Sequence, residues 1–139
     1  MDWQNGEYTI TDENERVDLR AVCTLLAGTY WANRRAPEVI VRSVRHSLCF
    51  SLFHGGEQVG LMRVVTDFAT VGYLCDVVIG EAHRGRGLGK WMMEVVLAHP
   101  QLRGCRLDLF TGDAQEFYRG FGFGPHRYTS MVRYPEERE

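Results

Sequence analysis

The residues best suited to chemistry lie together in Arg84-Gly85-Arg86-Gly87-Leu88-Gly89-Lys90, glycines interleaved with cations. They follow Tyr73-Leu74-Cys75-Asp76-Val77-Val78-Ile79, a mostly apolar run that predicts a buried strand. Leu88, Trp91, Met92, Val95 and Val96 then recur at the spacing of one helix face, and Pro100 predicts its end. A helix start leaves backbone N–H groups unpaired and carries the positive end of the helix dipole. Glycines let an anion approach that backbone closely, and the flanking cations add charge. This is phosphate chemistry, and two common versions of it are excluded by residue type. A P-loop requires Ser or Thr after its Lys, whereas Trp91 follows Lys90, and Arg84 stands where the first Gly should be. A dinucleotide fingerprint requires Gly where Lys90 stands.

Arg84, Gly87 and Gly89 instead spell R-x-x-G-x-G directly after a strand. Further on, Ala114-Gln115-Glu116-Phe117-Tyr118-Arg119-Gly120-Phe121-Gly122-Phe123 spells A-x-x-x-Y-x-x-x-G-F. Two motifs in this order, with one helix and one strand between them, resemble the GNAT superfamily of N-acetyltransferases. The resemblance runs from about Leu61 to Phe123 and is only general in the first third of the chain. It implies acetyl-CoA as co-substrate; no metal is expected, because His46, His54, His83, His99 and His126 show no ligand spacing. Arg84, Gly85, Arg86, Gly87, Leu88, Gly89 and Lys90 would hold the pyrophosphate, and the backbone around Val77, Val78 and Ile79 the pantetheine. Thr111 stands where the superfamily often has an Asn against the pantetheine arm, with shorter reach. Tyr118 is the implied general acid and cofactor contact, since a phenol with a pKa of about 10 can protonate a departing thiolate.

The base stays open. The strand glutamate of many relatives falls at Tyr73; Asp76 is the first candidate, Asp67 and Glu81 follow, and a water chain needs no dedicated base. Tyr73 and Asp76 are expected on opposite faces of the strand, being an odd number of residues apart. Trp31, Arg34 and Arg35 fall between the first two helices, where GNAT-like proteins build a wall of the acceptor pocket. An Arg pair there suits a carboxylate or phosphate. The implied activity is acetyl transfer to a primary amine, small or peptidic, by direct attack. Two alternatives are a CoA-binding sensor or interaction module with degenerate chemistry, and transfer from another acyl-CoA. Similar proteins often form homodimers.

The elements that must position these residues follow in order. Glu7 to Thr11 predicts a strand, and Asp12 to Glu15 offers helix N-caps for a first helix from Val17 to about Gly28. Pro37 suits the first turn of a second helix whose inner face is Ile40 and Val44. Leu48–His54 and Gln58–Val65 form a hairpin around Gly55-Gly56. Cys105–Phe110 predicts a strand, Ala114–Gly120 a short helix capped by Asp113, and Tyr128–Arg133 a last strand before the charged Glu136–Glu139. The order is that of an α/β fold with a GNAT-like mixed, mostly antiparallel sheet flanked by helices, one domain over residues 1–139.

A length of 139 residues suits one domain. Net charge -2 and 24% charged residues describe a globular chain and argue against a nucleic-acid binder with a basic surface. No apolar run approaches the roughly 20 residues of a membrane helix, and Met1-Asp2-Trp3-Gln4 lacks a signal-peptide layout. Cys23, Cys49, Cys75 and Cys105 are scattered without metal-ligand spacing, as reduced thiols of a cytoplasmic protein would be.

Overall fold

Strands that follow one another in sequence tend to pair, and the first five strands of this chain do so, one pair across two intervening helices. The computed structural model describes residues 1–136. Strands β1 (Asp2–Asn5), β2 (Tyr8–Thr11), β3 (Leu48–His54), β4 (Glu57–Thr66), β5 (Val71–Ile79) and β6 (Arg106–Asp108) lie in that order in one sheet. Every pairing from β1 to β5 is antiparallel, and β5–β6 is parallel. The mixed, mostly antiparallel sheet expected from the sequence is therefore present.

Alternation along the strands divides the core into two layers. Phe50, Leu52, Met62, Val64 and Leu74 pack with Leu88, Met92, Met93 and Val96 of α3 (Leu88–Leu97). On the opposite face, Cys49, Leu61 and Val78 meet Val22 and Leu26 of α1 (Leu19–Ala27) and Ile40 and Val44 of α2 (Pro37–Arg45). A short α4 (Gln115–Arg119) follows β6. Among the described residues no helix is long and apolar enough to cross a membrane.

The β3–β4 hairpin forms as expected, with His54 opposite Glu57 and Gly55 at φ 62°. Pro37 opens α2. Other boundaries need correction. β1 escapes the sequence pattern because Trp3 is its one large apolar residue; that ring packs near Phe50 and His99, at 6.3 and 6.1 Å between centroids. α1 is capped by Asp18, whose carboxylate accepts from Ala21 N–H, while Asn14–Arg16 form a separate 3-10 turn. α4 starts from Ala114, and it is the Thr111 hydroxyl, not Asp113, that accepts the Ala114 N–H. β6 is confined to Arg106–Asp108. The expected strand over Tyr128–Arg133 does not form: the backbone there pairs with no edge, and Tyr128, Met131 and Val132 stay exposed. Strand-forming residues need a partner edge as well as propensity. Of the charged end, 137–139 lie outside the described residues.

Candidate active site

The glycine loop folds as its composition dictates. Gly85 and Gly87 both sit at φ 75°, a region costly for residues with a Cβ, and Gly87 is the N-cap of α3. Arg84 N–H returns to Glu81 C=O and Trp91 N–H to Gly87 C=O. Between them, the six N–H groups of residues 85–90 donate to no acceptor among the described residues. Arg84 is anchored by its Nε on the Ile79 carbonyl at 2.9 Å, which leaves the rest of its guanidinium exposed beside the loop. Arg86 and Lys90 are exposed too. A run of unbonded N–H groups at a helix start, flanked by exposed cations, suits a multiply charged anion.

The strand leading into this loop is broken open on one side. β5 pairs with β6 only from Val71 to Tyr73, so its β6-side edge is unpaired from Leu74 to Ile79. On the other side, Leu61 pairs with Val78 and Arg63 with Cys75, leaving Asp76 and Val77 against Met62 alone. This is a β-bulge, with Asp76 at φ 54°, a conformation that Asp tolerates better than most residues. Val77 and Ile79 are half-buried on the α3 side, and Val78 is buried beneath α1 and α2.

The bulge also cancels the parity expected of Tyr73 and Asp76. Cys49, Arg63 and Cys75 are direct cross-strand partners on the α1–α2 face, as are Val65 and Tyr73. The extra residue swings Asp76 to that same face. Its Oδ2 accepts from Arg35 Nη1 at 2.8 Å and Arg63 Nε at 2.9 Å, and its Oδ1 from Trp31 Nε1 at 3.1 Å. Arg63 further donates to the Ser47 hydroxyl. Burial alone would raise the Asp76 carboxyl, which is 5% exposed, but the Arg63 charge and the Arg35 hydrogen bond outweigh it and hold the group below the usual carboxylate range. Such a carboxylate stays ionised and is a weak proton acceptor.

Across the opening, Tyr118 on α4 is half-buried, and its hydroxyl bonds to no group among the described residues. Phe117 and Phe123 pack around its ring at 5.0 and 6.0 Å. Burial, then the charges of Asp113 and Tyr30, push the phenol above its ordinary pKa, so it remains a proton donor at neutral pH. Tyr118 lines an open trough of about 1120 Å³ with Tyr73, Phe110, Thr111 and Phe123. The Thr111 oxygen is occupied by Ala114 N–H, and its own proton is free to donate. Phe117 reaches back to α3, where a Cβ at Gly89 would stand 3.7 Å from its ring.

The fold thus gathers Trp31, Arg35 and Asp76 into one cluster but leaves Arg34 exposed and outside it. Asp67 is remote in role: its carboxylate accepts the N–H groups of Ala69, Thr70 and Val71 and the Thr70 hydroxyl, which tie the β4–β5 turn and depress its pKa. Glu81 is exposed on a 3-10 turn ahead of the loop. Two residues escape the sequence reading. Arg63 carried a signal, as a lone cation inside the apolar run Leu61-Met62-Arg63-Val64-Val65, where a charge must find a partner. Tyr30 carried none; its hydroxyl lies 3.1 Å from where a Cβ of Gly112 would stand, bringing the α1–α2 loop to the β6–α4 loop.

The comparisons with known proteins converge. The family model described as acetyltransferase (GNAT) family matches residues 2–123. A GNAT-family acetyltransferase structure from Xanthomonas campestris pv. campestris is 38% identical, with TM-score 0.88 over 92% of this chain and 93% of its own. A Gibberella zeae protein assigned to the acetyltransferases is 28% identical over 85% of this chain and 79% of its own length. In fold alone, an aminoglycoside N-acetyltransferase crystallised with CoA matches at TM-score 0.70 and 16% identity, over 91% of this chain and 94% of that one. With its splayed strand, its glycine loop and its tyrosine helix, the chain belongs to the GNAT family of acetyltransferases, and it is an acyltransferase enzyme.

Proposed function

We propose that the protein transfers the acetyl group of acetyl-CoA to a primary amine by direct attack, with Tyr118 as general acid. The observation that carries this reading is the run of six unbonded N–H groups over residues 85–90. Those groups, with Arg84, Arg86 and Lys90, would hold the pyrophosphate of acetyl-CoA. The unpaired edge of β5 around Val77, Val78 and Ile79 would hold the pantetheine arm and offer an N–H to the thioester carbonyl, with Thr111 as a second contact. Acetyl-CoA, when bound, supplies the activated acyl group.

Tyr118 then gives its proton to the departing sulfur. The amine proton leaves through water at the open mouth of the site. Asp76 was the first sequence candidate for that step, but its two guanidinium partners and depressed pKa suit it to holding Arg35 and Arg63 in place. Neither Asp67, consumed by its turn, nor Glu81, on the outer surface, is better placed.

Calorimetry with acetyl-CoA, using ATP and NAD as controls, tests the reading in the wild type and in Gly87→Glu. No atom lies within 4 Å of a Cβ at Gly87, so the new carboxylate would occupy the anion site itself, on a strained φ. Selective acetyl-CoA binding by the wild type, lost in Gly87→Glu, is expected. A folded wild type that binds no acetyl-CoA would remove the basis of the proposal.

A further inference from the structure

The cluster around Asp76 is not neutral. Arg35 and Arg63 both pair with Asp76, and neither makes an ion pair with any other acid among the described residues. Two guanidinium charges against one carboxylate leave a surplus of one positive charge. The carboxylate is almost fully enclosed, with 2% of its side chain exposed, whereas the Arg35 side chain is 25% exposed. The accessible part of the cluster is therefore its cationic part. Each guanidinium also keeps N–H groups to spare: Arg35 uses Nη1 alone, and Arg63 uses Nε and Nη1, among the described residues.

This surplus stands beside the acyl-transfer site and not on a remote surface. Asp76 is the bulge residue of β5, one residue before Val77. Trp31 joins the cluster from the α1–α2 loop, and its neighbour Tyr30 packs on the Trp31 ring at 5.1 Å while its hydroxyl reaches Gly112, at the start of the Tyr118 segment. Tyr73, on the same face, is exposed and packs edge-on against Phe110 at 5.9 Å. The cluster thus shares a sheet face with Tyr73, which itself lines the trough that holds Tyr118.

A partly desolvated guanidinium with unspent donors gains most from a planar oxyanion that it can hold through paired hydrogen bonds. One surplus charge matches one carboxylate; a phosphate dianion would ask for two. A second cationic group on the acceptor would be repelled at short range and low dielectric. Resting on the transferase reading above, we infer that the acceptor is a primary amine that also carries a carboxylate, an amino acid-like molecule, and that Arg35 and Arg63 receive that carboxylate. Polyamines and other polycationic amines are disfavoured. Asp76 is then a positioning residue that holds both guanidinium groups at the bulge and takes up half of their charge.

The test reads binding directly, without turnover. N-acetyl-α-amino acids resemble the products of such a reaction, and their primary amides differ only in lacking the charge. Binding of both series is followed by the indole N–H resonance of Trp31, assigned with Trp31→Phe, since that N–H donates to Asp76. The carboxylates should bind at least about tenfold more tightly than the amides, the worth of a charge-assisted hydrogen bond pair. In Arg35→Gln that preference should fall to near unity while the protein stays folded, Arg63 and Trp31 still holding Asp76. Inorganic phosphate should compete less well than the carboxylates. Equal binding of the two series, binding of neither, stronger competition by phosphate, or an undiminished preference in Arg35→Gln would overturn the inference. If the carboxylates bind with this preference and no amine is acetylated, the inference stands and the transferase reading falls.

Discussion

At the scale of single residues, Tyr118 and Asp76 illustrate how environment assigns roles to groups that sequence can only nominate. Tyr118 is one hydroxyl on a ring packed between Phe117 and Phe123, with its pKa raised by burial and by nearby Asp113 and Tyr30. Tyr118→Phe keeps the ring and removes the proton, so the fold and acetyl-CoA affinity should be retained. Turnover should fall by about 10²–10⁴-fold, the usual worth of a general acid. Because the phenol's pKa is raised, the competent protonated form extends upward in pH, and the wild-type rate should show no loss of this acid at neutral or mildly alkaline pH. Steady-state turnover of the wild type and Tyr118→Phe checks both points; equal rates would remove Tyr118 from the chemistry. The tyrosine was legible because a fixed motif surrounds it. The role of Asp76 was not, because its partners Arg35, Trp31 and Arg63 lie far from it in the chain and only folding brings them together.

At the scale of elements, the working parts are an opened strand and a helix start, and their geometry depends on close packing nearby. Gly60 on β4 faces Ile79 of β5 on one side and Leu52 of β3 on the other. A Cβ there would stand 3.1 Å from Ile79 Cδ1, Leu52 Cδ2 and the Val78 carbonyl oxygen at once. The carbonyl belongs to backbone and cannot rotate away, so Gly60→Ala must push β5 outward where its far edge is already unpaired. Overpacking of this kind costs about 1–3 kcal/mol. A lower urea midpoint is the expected result, together with weaker acetyl-CoA binding in calorimetry; an unchanged midpoint would mean that β5 shifts freely. The central strand, the glycine loop and α3 were legible because glycine placement and apolar periodicity are local properties. The bulge was not, since nothing in Cys75-Asp76-Val77 marks an extra residue, and strict alternation therefore put Asp76 on the wrong face. The missing last strand fails for a related reason: residues such as Tyr128 and Val132 have strand propensity, but pairing is decided by whether an edge is in reach.

At the scale of the whole molecule, carboxylates held below their ordinary pKa tie distant parts of the chain together, and this predicts how the enzyme responds to acid. Asp76 joins β5 to β4 and the α1–α2 loop. In Asp12, burial works upward, but hydrogen bonds from the Met1 ammonium and His99 prevail and lower it, linking the chain start and the residue after β2 to the turn beyond α3. Asp2, bonded by Arg16, and Asp67, bonded within its turn, are lowered as well, although both are exposed and their share is reduced by solvent screening. Each of these groups has a folded pKa below its unfolded value of about 3.9, so the stability it contributes is present above that pH and is lost as pH falls through the folded pKa. Stability should therefore be flat in the carboxylates above about pH 5 and fall below about pH 4, the enclosed Asp76 and Asp12 each adding up to about 1.4 kcal/mol per pH unit to the slope. High salt should weaken the contribution of the exposed Asp2–Arg16 pair while leaving those of the enclosed Asp76, the mostly buried Asp12 and Asp67, whose donors are neutral. Asp76→Asn isolates one term, since Asn tolerates the positive φ but cannot be ionised. Urea unfolding of both proteins from pH 7 to pH 2.5 in high salt should give a variant that is less stable at pH 7 by up to about 3 kcal/mol, the cost of unpairing partly buried guanidinium groups. The gap should close as the wild type takes up its proton below about pH 4. Parallel stability curves would show that Asp76 is not the carboxylate on which the acid limb turns, and would weaken the assignment of Arg35 and Arg63 as a cluster held by it.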